Sequence, residues 1–292
     1  MSEQTRNGSA AGSGTISLGS ELTVNRLGFG AMRLTGEGVW GPPNGPATAI
    51  AVLRRAIELG VNFIDTADSY GPNVSEELIA EALAPYPKDS VIATKGGWNR
   101  PGPNQWTHDA SPAHLREAVE GSLKRLRLDR IDVYQLHVPD PVVPFDASIE
   151  TLANMQSEGK IRLVGLSNVT VEHIERAREI VPIVSVQNRY SFADREWDNV
   201  VNYCEANGIA FIPWFPLGAG RVGGKLLERI AQARQVKPIQ IALAWLLMRS
   251  PVMLPIPGTS SIAHLEENIQ AASLQLSEND YTELTGITQL AS

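Results

Sequence analysis

Two different spacings of hydrophobic residues follow one another along this chain. Near the start, residues 15–18 and 21–24 alternate apolar and polar side chains on either side of Gly19 and Ser20, which predicts a β-hairpin with a two-residue turn. Short apolar runs then alternate with segments of helical spacing. The runs predict eight strands, at residues 27–34, 63–67, 91–95, 131–137, 161–168, 183–188, 209–215 and 252–256. The helical segments are 48–59, 75–84, 111–126, 147–158, 170–181, 197–207, 226–236, 239–249, 264–272 and 277–287.

Eight strands that alternate with helices favour a closed (β/α)₈ barrel, an α/β fold that forms one domain over residues 15–292. The hairpin would close the bottom of the barrel, and the last segments would be extra C-terminal helices. An open, doubly wound sheet is the structural alternative, but no Gly-x-Gly-x-x-Gly opens a helix after an early strand. Residues 1–14, rich in Ser, Gly and Ala, predict a disordered tail, and residues 96–110 predict a long polar loop.

Composition narrows the class of protein. The chain is 43% hydrophobic and 20% charged, as in a soluble globular protein. Its net charge of −7, without a block of Lys or Arg, argues against a nucleic-acid partner. No apolar run approaches the ~20 residues of a membrane span, residues 1–14 lack the apolar region of a signal peptide, and Cys204 has no second cysteine to pair with. We therefore expect a cytoplasmic protein without a membrane partner.

Polar side chains stand at the carboxyl ends of the predicted strands, the face on which barrel enzymes carry their sites. Asp65 and Tyr70 follow the second strand, Lys95 ends the third, and His137 ends the fourth. Further candidates at later strand ends are Ser167, Asn168, Gln187, Trp214 and Phe215. Taken alone, His137 is better explained as a core histidine, and Asp65 with Tyr70 equally well as a buried carboxylate and a loop tyrosine. Together, these groups exceed what packing requires.

The pairing of these groups has a chemical reason. Lys95 ends a buried run, where an unpaired ammonium is costly, so Asp65 on the neighbouring strand is its natural partner. An ammonium beside Tyr70 favours the phenolate and is expected to lower the phenol pKa from about 10. Tyr70 could then give a proton to a developing alkoxide.

Several motifs occur together, in one order, from about residue 15 to about residue 287. They are Asp65-Thr-Ala-Asp-Ser-Tyr70-Gly71, Lys95 in Ala-Thr-Lys-Gly-Gly, His137 in Tyr-Gln-Leu-His, Gly165-Leu-Ser-Asn168, Gln187, Phe215-Pro216-Leu217 and Ile256-Pro-Gly-Thr-Ser260. In this order and spacing they resemble the aldo-keto reductases. The resemblance implies a (β/α)₈ oxidoreductase that uses NADPH, or NADH more weakly, to reduce an aldehyde or ketone to an alcohol.

The resemblance also implies a role for each group. Tyr70 would be the proton donor, Lys95 and Asp65 would tune it, and His137 would orient the substrate carbonyl. Ser167, Asn168 and Gln187 would hold the carboxamide of the nicotinamide, Trp214 would stack on its ring, and the segment 258–268 would hold the 2′-phosphate and adenine. The cofactor-binding residues would be Gly30, Ala31, Met32, Ser167, Asn168, Gln187, Trp214, Phe215, Pro216, Leu217, Gly258, Thr259, Ser260, Ser261, His264, Glu267 and Asn268. No metal site is implied, and the protein would be a monomer or a small homo-oligomer.

Within the family, Gly41-Pro-Pro43 and the residues from Ile256 to Asn268 look most like a bacterial branch that includes pyridoxal reductases. Pyridoxal or another small aldehyde is therefore a candidate substrate. Gly258 and His264 stand where well-known animal members carry Lys and Arg, so the expected phosphate site has lost charge. The loop residues Trp40, Trp98 and Trp106 could line the substrate pocket.

Two functions of other classes fit the same residues. A redox-sensing regulatory module, resembling the potassium-channel β subunits, would bind NADP(H) with little turnover. A Schiff-base lyase would use Lys95 as nucleophile, although an unpaired lysine would suit that chemistry better than one beside Asp65.

Overall fold

The N-terminal hairpin is the first regular element of the computed structural model, which describes residues 8–215 and 224–286. Strands β1 (Thr15–Leu18) and β2 (Leu22–Asn25) pair antiparallel, with Leu18 opposite Leu22. Three residues therefore connect the strands, so the predicted two-residue turn is wrong. Gly19 begins the connection with a φ of +59°, a conformation that glycine adopts without a Cβ clash.

A parallel sheet curls around the centre of the molecule. The remaining strands are β3 (Phe29–Gly30), β4 (Phe63–Asp65), β5 (Val91–Gly96), β6 (Trp98–Gly102), β7 (Gln105–His108), β8 (Ile131–Leu136), β9 (Ile161–Ser167), β10 (Ile183–Gln187) and β11 (Ala210–Phe211). Seven of them form one sheet in the order β11-β10-β9-β8-β5-β4-β3, and every pairing in it is parallel. Its strands consist largely of buried apolar residues, as expected where both faces are covered.

The segment 252–256 occupies the eighth position of the barrel. Phe211 forms a parallel bridge with Met253, donates its N–H to the carbonyl of Val252 over 2.8 Å and accepts from Leu254 N over 2.9 Å. On the other side, Gly28 N donates to the carbonyl of Pro255 over 2.9 Å. The predicted eighth strand thus joins β11 to the chain that enters β3, and the fold is the expected (β/α)₈ barrel.

Helices cover the outside of the sheet. They are α1 (Pro46–Glu58), α2 (Val74–Leu83), α3 (Pro112–Leu126), α4 (Phe145–Ser157), α5 (Val171–Arg178), α6 (Asp198–Asn207), α7 (Lys225–Arg234), α8 (Pro238–Arg249), α9 (Ile262–Gln270) and α10 (Glu278–Gly286). Helix α3 illustrates their local causes, since Ser111 caps the N–H of His114 and Pro112 occupies the first turn. No helix among the described residues is long and apolar enough to cross a membrane.

The hairpin closes one end of the barrel, as predicted. Leu18 and Val24 are completely buried and belong to the same apolar cluster as Phe63, Val91 and Val133, which lie early in their strands. Because the amino-terminal end is filled in this way, the polar side chains at the carboxyl ends of the strands face the other, open end.

Two further sequence-based expectations are wrong. Part of the predicted disordered tail is folded, because residues Ala10–Ser13 form a 3-10 turn in which Ala10 is buried and donates its N–H to Leu59 over 2.9 Å. The predicted polar loop 96–110 contains the antiparallel hairpin β6–β7, with Trp98 opposite His108. Pro103 and Asn104 make its turn, and aromatic side chains on both strands stabilise it.

Candidate active site

The centre of the site is a buried ion pair between neighbouring strands. Lys95, at the end of β5, is completely buried, and its Nζ donates to Asp65 Oδ2 over 2.7 Å and to the carbonyl of Thr66 over 2.8 Å. The same nitrogen lies 3.5 Å from the hydroxyl of Tyr70. Burial alone would lower the pKa of the Lys95 ammonium, but the charge of Asp65, followed by that of Tyr70, raises it overall. Lys95 is therefore a cation held against the phenol.

Asp65 is held on its other oxygen as well. Its Oδ1 accepts from Gln187 Nε2 over 2.8 Å and from Gln135 Nε2 over 3.1 Å. A buried carboxylate needs such donors, because an ionised group without them would favour protonation. The resemblance leads us to expect that Gln187 contacts a carboxamide. Its side-chain amide donates to Asp65, and the residue also lines the cavity.

The expected lowering of the Tyr70 pKa is wrong in direction. Burial, the largest effect, raises the pKa of the phenol, and Lys95 only partly opposes this rise. The sequence indicated the neighbouring cation but not the depth of burial, since only 7% of Tyr70 is exposed in the fold. The consequence is a phenol that keeps its proton at neutral pH.

His137 lies edge-on to the Tyr70 ring, with 5.9 Å between the ring centroids. Burial, followed by the charge of Lys95, lowers the pKa of this imidazole well below its usual value. Its Nδ1 lies 3.4 Å from Ser69 Oγ. His137 is therefore a neutral imidazole beside the phenol.

A cavity of about 730 Å³ opens above these groups. It is lined by Gly30, Met32, Arg33, Asp65, Tyr70, Trp98, Trp106, His108, His137, Val138, Ser167, Asn168, Gln187, Trp214, Phe215, Ile256 and Gly258. Three of the four catalytic candidates line it, and Lys95 lies beneath. Two of the three candidate pocket tryptophans line it, whereas Trp40 does not and lies beside Arg100 instead. Pro216 and Leu217 lie outside the described residues, and Ala31 is buried behind the wall.

One wall of the cavity is held by the hydrogen bonds of Asn168. Asn168, with a φ of +58°, donates from Nδ2 to the carbonyl of His137 over 3.0 Å and to Ser167 Oγ over 3.1 Å. Its Oδ1 accepts from Trp214 Nε1 over 3.1 Å. Asn168 therefore positions the Trp214 ring and the Ser167 hydroxyl, and both line the cavity.

The expected phosphate and adenine residues lie before and along helix α9, with 258–261 preceding it and His264, Glu267 and Asn268 on it. Of these residues, Gly258 lines the cavity and the others do not. Ser261 caps His264 N over 3.5 Å, and its own N–H donates to Thr259 Oγ1 over 3.1 Å. The first N–H groups of a helix have no intrahelical acceptor, and they favour an anion. Asn268 is buried, and its Oδ1 has no hydrogen-bond partner among the described residues. These features fit a phosphorylated adenine nucleotide. Ser260, His264 and Glu267 are at least partly exposed there.

Some cavity residues escaped sequence reasoning. Arg33 and His108 line the cavity, and the guanidinium of Arg33 forms no ion pair with any residue in the described ranges. Arg33 Cγ lies 3.7 Å from the position a Cβ would take at Gly258, so this side chain lies beside the first residue of the expected phosphate segment. Arg33 directly follows Met32, a predicted cofactor-binding residue, and this position could have indicated that Arg33 lines the site. No cluster of metal-binding side chains occurs within the described residues.

Comparison with known proteins agrees with this geometry. The model of the aldo/keto reductase family matches residues 26–289. An uncharacterized oxidoreductase of Schizosaccharomyces pombe is 50% identical over 277 residues, covering 94% of this chain and 90% of the relative. Pyridoxine 4-dehydrogenase of Escherichia coli is 47% identical over 284 residues, covering 95% and 99%. This second relative supports the pyridoxal reductase-like branch.

A solved structure resembles the fold as well. The aldo/keto reductase of Klebsiella pneumoniae in complex with NADP and acetate has a TM-score of 0.79 and 27% identity, over 94% of this chain and 95% of that one. The buried Asp65–Lys95 pair beside a tyrosine, the barrel that carries it and the match over residues 26–289 lead to one conclusion. The chain is an oxidoreductase that belongs to the aldo/keto reductase family.

Proposed function

We propose that this protein reduces an aldehyde or ketone to an alcohol with NADPH, which supplies the hydride, while Tyr70 supplies the proton. The observation that carries the proposal is the phenol of Tyr70, at the cavity floor, with the ammonium of Lys95 3.5 Å away. A carbonyl that accepts a hydride becomes an alkoxide, and a positioned acid that protonates it contributes roughly 10² to 10⁴ in rate.

The surroundings of Tyr70 suit an acid. Burial raises the pKa of the phenol, so the proton is present at neutral pH and available to the substrate. When the proton leaves, the phenolate that remains faces the ammonium of Lys95, which stabilises the new charge without solvent reorganisation. Asp65 keeps Lys95 in this place through the 2.7 Å contact.

His137 is the positioning group for the carbonyl. Its lowered pKa leaves it neutral, so it orients a carbonyl oxygen by hydrogen bonding and does not compete with Tyr70 as an acid. The edge-on contact with the Tyr70 ring keeps both groups on the same wall of the cavity.

The walls of the site suit NADPH. Ser167, Gln187 and Trp214 line the cavity and present a hydroxyl, an amide and a flat ring to a nicotinamide. The start of helix α9, with Thr259, Ser260, Ser261 and His264, is the proposed 2′-phosphate site, and the unpartnered Oδ1 of Asn268 suits the amino group of adenine. Relatives of the same fold have been solved with NADP and with NADPH. NADH lacks the 2′-phosphate and would bind more weakly.

The substrate we propose is pyridoxal or another small aldehyde. The Escherichia coli relative is named for oxidation of pyridoxine, the alcohol that corresponds to pyridoxal. Trp98 and Trp106 line the cavity near His137, and they meet edge-on with 5.9 Å between centroids. Flat aromatic walls of this kind favour a flat aromatic substrate.

The lyase alternative fits the geometry less well. A Schiff base requires a neutral, accessible amine, whereas Lys95 is completely buried, bonded to Asp65 and Thr66, and has a raised pKa. The redox-sensing alternative shares every contact described above, so turnover separates it from the reductase.

Replacing Tyr70 with Phe tests the proposal. The change removes the proton donor and almost no volume, so we expect kcat for pyridoxal reduction to fall by about 10² or more. Binding of NADPH, followed by quenching of tryptophan fluorescence, should stay within about twofold. Tyr86→Phe is the matched control, because its hydroxyl bonds to the carbonyl of Leu126 away from the cavity. Turnover of Tyr70→Phe within a few-fold of wild type would overturn the role of Tyr70, and a wild type without turnover on any aldehyde would favour the sensor.

A further inference from the structure

Arg100 joins three parts of the chain around the cavity. It lies on β6, and its Nε donates to the carbonyl of Gln105 on β7 over 2.9 Å. Its Nη1 donates to the carbonyl of Ser69 over 2.7 Å and to that of Val39 over 3.0 Å, and its Nη2 donates to the carbonyl of Gly38 over 3.0 Å. One guanidinium therefore connects the β6–β7 hairpin to the turn at 36–41 and to the residue before Tyr70.

The same guanidinium is stacked on tryptophan. Its Cζ lies 3.7 Å from the centroid of the Trp106 ring, and 5.7 Å from that of Trp40. Trp106 meets Trp98 edge-on, and Trp98 in turn lies 6.4 Å from His137, between centroids. A continuous set of ring contacts thus runs from Arg100 to the catalytic group.

The acceptors around Arg100 define what it does. All four are backbone carbonyls, and no carboxylate in the described part of the chain pairs with it. Arginine alone among the side chains presents several donors in one plane while stacking that plane on a ring. A lysine would keep the charge, but would lose the planar stack and most of these hydrogen bonds. The arrangement is therefore specific to the guanidinium.

We propose that Arg100 is a positioning residue that determines substrate specificity, by holding the Trp98–Trp106 wall against the Tyr70 loop at the spacing a flat aromatic carbonyl compound requires. This inference rests on the proposed reductase function. A ring placed between Tyr70 and this wall gains contact only while the two tryptophans keep their orientation. A short aliphatic aldehyde reaches Tyr70 and His137 without filling the space beside the wall, so it does not depend on Arg100.

The test compares two substrates in two variants. In Arg100→Lys, KM for pyridoxal should rise by about tenfold, the order expected when a cation–π contact and charged hydrogen bonds are lost. KM for propanal should change by less than about twofold, and kcat for both should stay within about threefold. Arg26→Lys is the matched control. Arg26 also donates to three backbone carbonyls, those of Leu247, Ser250 and Met253, but lies away from the cavity. It should leave the pyridoxal-to-propanal ratio unchanged.

A second variant covers the case in which Arg100→Lys folds poorly. Arg100→Gln leaves no unpaired charge and keeps both tryptophans, but it removes most of the hydrogen bonds and the stacked guanidinium, so it should raise KM for pyridoxal selectively. Equal losses for both substrates in these variants would mean that Arg100 only supports the fold, and unchanged kinetics would mean that the wall does not depend on it. Either result overturns the inference while the reductase stands. A wild type that reduces neither substrate would instead overturn the proposed function.

Discussion

At the scale of single residues, the orientation of Asp65 is fixed from both sides. One oxygen accepts from Lys95, and the other accepts from Gln135 and Gln187. Gln135 is completely buried on β8 and does not line the cavity, and its Oε1 has no hydrogen-bond partner among the described residues. The one hydrogen bond that its side chain makes within the described residues therefore serves the carboxylate that holds Lys95.

Replacing Gln135 with Leu should expose this dependence. The change keeps the approximate volume but removes a donor to a buried carboxylate, which costs about 1–3 kcal/mol. We expect kcat for carbonyl reduction to fall about tenfold, while the affinity for NADPH, measured by fluorescence quenching, stays the same. Gln156→Leu is the control, since the Gln156 side chain donates to the carbonyl of Arg162, away from the site. A fall in NADPH affinity without a change in kcat would contradict the positioning of Asp65.

The sequence predicted which residues form the site better than it predicted their protonation and orientation. Asp65, Tyr70, Lys95 and His137 could be located because parallel strands of a barrel present their carboxyl ends at one face. The direction in which the pKa of Tyr70 shifts could not be predicted, because it depends on how completely later segments of the chain cover the phenol. Gln135 stood within the Tyr-Gln-Leu-His motif, yet the direction of its side chain depends on the register between β5 and β8.

At the scale of elements, helix α9 offers a direct test of the phosphate site. Its first turn begins at Ile262, and His264 occupies the third helical position, exposed at the proposed site. Helix α5 has a histidine at the same position, His173, whose ring bonds to the N-cap Thr170. The two helices are thus alike in local chemistry, and only α9 is proposed to meet a phosphate.

In His264→Ala, KM for NADPH should rise by roughly 3- to 10-fold, as expected for loss of one exposed contact to a phosphate. KM for NADH should not change, because NADH has no 2′-phosphate. His173→Ala should change neither value. Steady-state kinetics with both cofactors at one pH measure this difference, and an equal rise for the two cofactors would place His264 outside the 2′-phosphate site.

One element that could not be predicted from the sequence is the hairpin within residues 96–110. Residues 98–108 contain Pro101, Gly102, Pro103 and Asn104, all typical of loops, yet ring contacts between Trp98, Trp106 and His108 form a hairpin. Conversely, the predicted strand at 252–256 has few ladder bonds of its own and is identified by its neighbours. The hairpin was missed because its ring contacts join residues on either side of Pro and Gly residues that indicate a loop, and a local pattern does not record such contacts. The segment 252–256 was found because its apolar run is itself a strand pattern.

At the scale of the whole molecule, one buried carboxyl links stability to pH. Asp68 lies near Glu76, which is completely buried and accepts from Arg125 over 2.7 Å and from Thr94 over 2.6 Å. Burial, followed by the charge of Glu76, raises the pKa of Asp68 to about 8. The folded protein therefore binds a proton at this position between about pH 4 and pH 8, where the unfolded chain has released it.

Stability should accordingly be greatest below about pH 4 as far as Asp68 is concerned, and should decline as pH rises towards 8. The decline approaches about 1.4 kcal/mol per pH unit in this window. Asp68→Asn carries no titrating group, so its free energy of unfolding should match that of wild type near pH 4 and exceed it increasingly up to pH 8. Urea denaturation at several pH values measures both curves, and parallel curves would show that Asp68 does not hold its proton in the fold.

The tight approach of Gly30 and Gly258 limits how this protein could acquire a new coenzyme preference. A Cβ at position 258 would lie 2.4 Å from the carbonyl oxygen of Gly30. A side chain there must therefore push apart the backbone segments that contain these two glycines. An engineer who placed a lysine at 258 to imitate animal relatives would damage the scaffold before gaining a charge. Evolutionary change at position 258 meets the same barrier, so coenzyme preference is more easily changed at exposed positions such as Ser260 and His264.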